Sequence, residues 1–196
     1  MHLIVATTNQ GKLNEIKARL EMAGIEVEGL NSHPEWKPAV EDGETFTQNA
    51  CKKACAIAKQ SGTMCLADDS GLEVDALGAR PGVYSARFAH AQATDMENNA
   101  YLLQCLQDVP GPERGAAFVC VMALCTPAGE CHTFEGRLCG TILNSPAGNG
   151  GFGYDPLFWL PEQRRSLAQL AVEEKNRISH RGLALAQVVE FLQQSV

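Results

Sequence analysis

Three things are scarce in this chain: positive charge in excess, closely paired cysteines and long apolar runs. Sixteen Lys and Arg stand against 23 Asp and Glu, a formal charge of −7, which excludes a nucleic-acid binder that works through a broad basic footprint. A small phosphate ligand stays open, because a few lysines held together make a local positive field. No stretch approaches the roughly 20 apolar residues of a membrane helix, and no basic segment followed by an apolar run opens the sequence. A soluble, cytoplasmic protein with no membrane partner is expected. The eight cysteines include no C-x-x-C pair; Cys51 and Cys55 are four apart and Cys120 and Cys125 five, which is neither zinc-ribbon nor thioredoxin spacing. Most lie in apolar runs such as Phe118-Val119-Cys120-Val121-Met122, so they are read as small core residues in a reducing compartment. A G-x-S-x-G motif and a cysteine beside a histidine are also missing. Metal-assisted attack by water is therefore favoured over a covalent nucleophile.

What is present fits one domain spanning residues 1–196, since a chain of this length with 45% hydrophobic and 20% charged residues buries a substantial core. Leu3-Ile4-Val5-Ala6 reads as a buried strand, followed by a helix marked by Leu13, Ile16 and Leu20 and ended near Gly24. Ile25-Glu26-Val27 reads as a short strand and Asn31 to Gly43 as a loop. A second helix carries Phe46, Ala50, Ala54, Ile57 and Ala58 on its inner face and closes at Gly62. Thr63 to Ala67 is the next strand, running into a glycine turn at Asp68-Asp69-Ser70-Gly71. Thr94 with Glu97 is a capping box for a helix through about Leu106. Ala117 to Leu124 and Cys131 to Leu138 read as strands joined across Pro127-Ala128-Gly129. Pro156 to Leu160 is a short apolar run, Ser166 and Gln169 cap a short helix, and a last helix from about His180 buries Leu185, Val189 and Leu192. Alternating strands and helices followed by a hairpin predict an α/β fold with a mixed sheet.

Four segments carry candidate chemistry. Thr7-Thr8-Asn9-Gln10-Gly11-Lys12 joins a strand to a helix start, where backbone N–H groups and a lysine suit an anion; it reads as a phosphate cradle or as an ordinary βα turn. It is not a P-loop, because the first glycine is missing and Leu13 follows Lys12. Asp68-Asp69-Ser70-Gly71 suits a magnesium ion bound through carboxylates, or a held water, or else an Asx-type turn. Gly150 to Pro156 places Phe152 and Asp155 among glycines, so that a ring could stack on a flat ligand and a carboxylate bond its edge; a tight turn before a strand is the plainer reading. Lys175 and Ser179-His180-Arg181-Gly182 gather donors where a binding role is favoured over a structural one.

Together with Thr45-Phe46, Asn49-Ala50 and Pro81-Gly82-Val83-Tyr84-Ser85-Ala86-Arg87, these segments resemble the inosine triphosphate pyrophosphatase family nearly from end to end and in the same order. The resemblance implies an elongated mixed β-sheet flanked by helices, two lobes around a nucleotide-binding cleft, and a homodimer. It implies hydrolysis of dITP, ITP and XTP to the monophosphate and pyrophosphate, with Mg2+ as cofactor. Thr7, Thr8, Asn9, Gln10, Gly11 and Lys12 would hold the phosphates, with Lys53 reaching towards them. Asp69 would bind metal and activate water, supported by Asp68, and Glu41 would be a second metal contact. Ser70 would touch phosphate or sugar. Phe152 would stack on the purine within a segment that includes Gly153 and Tyr154, while Asp155, Lys175, His180 and Arg181 would read its edge. Many bacterial relatives carry glutamate where this chain has Gln48, so Glu41, Asp42 or Glu44 would have to supply that carboxylate. Rival readings are a house-cleaning pyrophosphatase for modified pyrimidine or methylated nucleotides and a nucleotide-binding module without activity.

Overall fold

The computed structural model describes residues 1–194. Strand β1 (His2–Val5) is apolar and buried after its first residue, as a strand covered on both faces must be. Helix α1 (Gln10–Met22) begins where the Asn9 side chain accepts from the backbone N–H of Lys12 at 3.0 Å, and it buries Ile16 and Leu20. Strand β2 (Glu26–Gly29) runs parallel to β1, with His2 opposite Glu26 and Val5 opposite Gly29. Helix α2 (Phe46–Ser61) is capped by Thr45 and buries Phe46, Asn49, Ala50, Ala54, Ile57 and Ala58 on one face at helical spacing.

Strand β3 (Cys65–Val74) differs from the reading of the sequence. Asp68 to Gly71 do not turn; they continue the strand, with Asp68 and Asp69 buried in its middle. Pairing holds both ends: Cys65 and Leu66 lie parallel to Ile4 and Val5, and Glu73 and Val74 lie antiparallel to β4 (Arg80–Pro81). Helix α3 (Asp95–Cys105) starts at the expected capping box, the Glu97 carboxylate accepting from Thr94 N–H at 2.7 Å and the Thr94 hydroxyl from Glu97 N–H at 3.3 Å. Strands β5 (Gly115–Cys125) and β6 (Cys131–Ile142) are joined by a turn in which Thr126 N–H donates to the Glu130 carbonyl at 2.8 Å. Then follow β7 (Phe158–Leu160), β8 (Arg165–Ser166), a capped 3-10 turn over Leu167–Gln169, α4 (Val172–Ile178) and α5 (His180–Gln194). The sheet order is β2-β1-β3-β5-β6-β7-β8, with β4 on β3; its β2-β1-β3 side is parallel and its β6-β7-β8 side antiparallel. This is the mixed α/β architecture expected.

The chain forms two compact units. The first holds residues up to Asp69, Cys120–Gly136 and the chain from Leu183; its core includes Leu3, Val5, Ile16, Leu20, Leu66, Met122, Leu124, Leu185 and Leu192. The second holds Ser70–Val119 and Arg137–Gly182, around Leu72, Val74, Leu102, Leu106, Phe118, Ile142, Leu157, Phe158 and Leu160. Each fully buried side chain of this size contributes about 1.5–3 kcal/mol of transfer free energy.

Cys65 and Cys120 are small buried residues, as expected, and burial pushes the Cys65 thiol up to about 12. Four others are not simple filler: Cys55 is disulfide-bonded to Cys125, and the Cys51 and Cys131 sulfurs lie 3.6 Å apart. The spacing along the sequence could not reveal this, because one member of each pair comes from α2 and the other from the β5–β6 hairpin.

Candidate active site

In the first unit, the strand-to-helix segment 7–12 and the acids of β3 meet the inner face of α2. The Thr7 hydroxyl accepts from Asn9 N–H at 3.2 Å and so shapes the start of α1, where Thr8, Asn9 and Gln10 are exposed. The Lys12 ammonium lies 2.9 Å from Asp68. That of Lys53 lies 3.4 Å from Asp69 and 3.5 Å from Glu41. Asn49 ties the arrangement together: its side-chain N–H donates to Asp69 at 3.1 Å, and its oxygen accepts from Gly43 N–H at 2.8 Å.

Charge and burial work against each other here. Burial raises the Asp69 carboxyl above its usual range, and Lys53, Lys12 and the Asn49 donor only partly offset it. Burial also opposes the charge on Lys53, but the carboxylates of Asp68, Asp69 and Glu41 outweigh it and raise its pKa. Two lysines thus face three carboxylates. This set of oxygen donors, negative overall and beside a helix N-terminus, suits a hard divalent cation carrying phosphate oxygens. Asp42 lies apart from it, paired at 2.6 Å with the exposed Lys52. Gln48 uses its side-chain oxygen to accept from Glu44 N–H at 2.8 Å.

In the second unit, the segment from Gly150 to Pro156 folds onto its own carboxylate. One oxygen of Asp155 accepts from Phe152 N–H at 3.0 Å and from the Lys175 ammonium at 2.7 Å. Gly151 has φ +72, and a Cβ there would run into Asp155, so the turn requires glycine. The Phe152 ring has the Lys175 ammonium 4.6 Å and the Arg181 guanidinium 5.7 Å from its centroid. Arg181 also donates to the Ser70 hydroxyl at 3.0 Å. A Cβ on Gly182 would strike the Asn176 carbonyl, so this glycine lets the start of α5 close against the end of α4. The arrangement offers a ring with two cations beside it, one held by a buried carboxylate.

A sequence model of the Ham1 family matches residues 3–191. The chain belongs to the Ham1 family. It is 52% identical over 190 residues to the dITP/XTP pyrophosphatase of Geobacter sulfurreducens, an alignment covering 97% of this chain and 96% of that protein. It is 50% identical over 192 residues to that of Desulforamulus reducens, covering 98% and 96%. Among solved structures, the Staphylococcus aureus Ham1 protein superposes with a TM-score of 0.90 at 38% identity over 100% of both chains. A HAM1 protein from Coxiella burnetii does so with a TM-score of 0.91 at 38% identity over 99% of both.

In this Ham1-family chain, Lys12, Glu41, Lys53, Asp68 and Asp69 come together in the first unit. Ser70, Phe152, Asp155, Lys175 and Arg181 come together in the second. His180 stacks on Phe118, ring centroids 4.7 Å apart and planes 9° from parallel. Gly153 and Tyr154 face packing partners instead. Gly153 N–H donates to Asp95 at 2.6 Å and its carbonyl accepts from Asn99 at 2.8 Å. Tyr154 is buried, with its hydroxyl donating to the Ser85 carbonyl at 2.8 Å. Asn49 had no role assigned from sequence, although a signal was there: it lies three residues after Phe46, on the apolar face of α2, where an amide must find partners.

Proposed function

We propose that this chain hydrolyses the α–β phosphoanhydride bond of non-standard purine nucleoside triphosphates, dITP, ITP and XTP, giving the monophosphate and pyrophosphate. The observation that carries the reading is the pairing of buried Asp68 and Asp69 with Lys12 and Lys53, on a chain half identical over its length to dITP/XTP pyrophosphatases. The segment from Thr7 to Lys12, leading into α1, receives the phosphates with its backbone N–H groups, and Lys53 adds a cation. Asp69 and Glu41 hold Mg2+, whose contribution when bound is to polarise the phosphate and neutralise charge on the leaving group. Asp69, with Lys53 and Asn49 fixing its two oxygens, orients the water and takes its proton, and Asp68 holds Lys12 in place. The water oxygen replaces the bridging oxygen on phosphorus, and pyrophosphate leaves.

The base is read by the second group of residues. Phe152 stacks on the purine, Ser70 touches phosphate or sugar, and Lys175, His180 and Arg181 supply donors for its edge. A 6-keto purine presents an acceptor where adenine presents an amino group, so adenine leaves a donor unmatched at a cost of about 1–3 kcal/mol. Deaminated purines are thereby removed from the nucleotide pool, in the cytoplasm where that pool lies. No helix among the described residues is long and apolar enough to cross a membrane. The acidic net charge favours free nucleotides over nucleic acid as partners. A homodimer completes the proposal, supported by Tyr84 and Tyr101, exposed aromatic residues that line one recess with Arg80 and Arg87.

The deciding experiment is pyrophosphate release from dITP, XTP, dATP and dGTP, with magnesium and with chelator. Release from dITP and XTP that stops on chelation is the expected result. Release only from modified pyrimidine or methylated nucleotides would replace the substrate assignment.

A further inference from the structure

Three of the eight cysteines meet, with a fourth beside one of them, at a place that the proposed reaction does not use. Cys51 and Cys55 are separated by one helical turn on α2 and so share a face. Cys125 ends β5 and Cys131 begins β6, and the turn between them brings the two strand ends side by side. The Sγ atoms of Cys55, Cys125 and Cys131 all lie within 4.8 Å of one another. That of Cys51 lies 3.6 Å from that of Cys131. In a tetrahedral thiolate centre with metal–sulfur bonds of about 2.3 Å, neighbouring sulfurs stand about 3.8 Å apart. Cys125 is buried, whereas Cys51, Cys55 and Cys131 are partly exposed, which leaves a route for an ion.

We propose that, once the Cys55–Cys125 disulfide is reduced, Cys51, Cys55, Cys125 and Cys131 form a binding site for one thiophilic divalent ion of the zinc class. A dithiol supplies the two electrons and is itself oxidised to a disulfide, while Cys55 and Cys125 each gain a proton. The ion then displaces the four thiol protons to the buffer and leaves a dianionic centre. Ligand softness separates this site from the carboxylates around Asp69, which suit magnesium. The bound ion would clamp the β5–β6 hairpin to α2, the helix that presents Asn49 and Lys53 to Asp69.

The test is cobalt titration of the whole protein, reduced with dithiol and freed of it without air. One equivalent should give the intense visible bands and sulfur-to-metal charge transfer of a tetrahedral thiolate site, bleached by zinc. Zinc should also shield the partly exposed Cys51, Cys55 and Cys131 from alkylation, mapped residue by residue by mass spectrometry, and leave Cys105 and Cys139 reactive. The double variant Cys51→Ser/Cys131→Ser should lose the bands, and Cys105→Ser/Cys139→Ser should keep them. Only the weak bands of an octahedral oxygen site, or alkylation of Cys51, Cys55 and Cys131 at the same rate with and without zinc, would overturn the proposal. The alkylation map of the unaltered protein decides even if the double variant fails to fold.

Discussion

The Lys175 ammonium lies 2.7 Å from the carboxylate of Asp155, and both residues are almost wholly buried. The same carboxylate oxygen holds Phe152 N–H, so the pair positions the ring as well as neutralising a charge. Removing one partner of a buried pair leaves the other's charge uncompensated, at a cost of about 3–5 kcal/mol. Lys175→Met should therefore lower the urea midpoint strongly and also narrow the preference for dITP over dATP. Unchanged stability together with unchanged preference would remove both roles.

Asp69→Asn should lower turnover of dITP by about 10²–10⁴-fold, the range for a general base. Its Tm should be unchanged or raised. Burial sets the folded pKa of Asp69 above its unfolded value, so the charged carboxylate lowers stability once pH has risen through that interval, and the amide carries no such charge. Near-normal turnover would refute the role.

Phe152→Ala should act on binding. Stacking of a base on an aromatic ring is worth about 1–3 kcal/mol, or roughly 5- to 150-fold in KM for dITP, with kcat less affected. An unchanged KM would dismiss the stacking.

Tyr154→Phe separates packing from catalysis. Losing the hydrogen bond to Ser85 should lower stability by about 0.5–1.5 kcal/mol in denaturant titration, with kcat/KM for dITP unchanged. A tenfold rise in KM would return the hydroxyl to the substrate.

The acids before α2 make a paired test. Glu41 faces Lys53, whereas Asp42 pairs with exposed Lys52. Glu41→Gln should raise the magnesium concentration for half-maximal rate by roughly 10- to 100-fold, and Asp42→Asn should leave it unchanged. Equal effects would mean that Glu41 has no special place.

Much of this was legible in advance where one rule dominates. Period-3.6 apolar spacing marked α1 and α2, and a capping box marked the start of α3. The acids of β3 were misplaced because Gly71 after two aspartates looks like a turn, whereas pairing at both ends keeps the segment extended. Helix α4 went unread because Glu173 to Arg177 show no apolar period, and β8 because two residues carry none. The meeting of Asn49 with Asp69, and of Cys51 with Cys131, depends on tertiary contacts between distant segments.

The pairings of β3 with β1 and β4, at its two ends, have a consequence for what its gene can tolerate. Cys65–Leu66 and Glu73–Val74 are each locked in register with a neighbour, and the six residues between include Asp68, Asp69 and Ser70. Alternate residues on a strand face opposite ways, so a single insertion or deletion here would turn one carboxylate away from its lysine or break a register. Between residues 65 and 74 the reading frame has a fixed length, and variation there is confined to substitution.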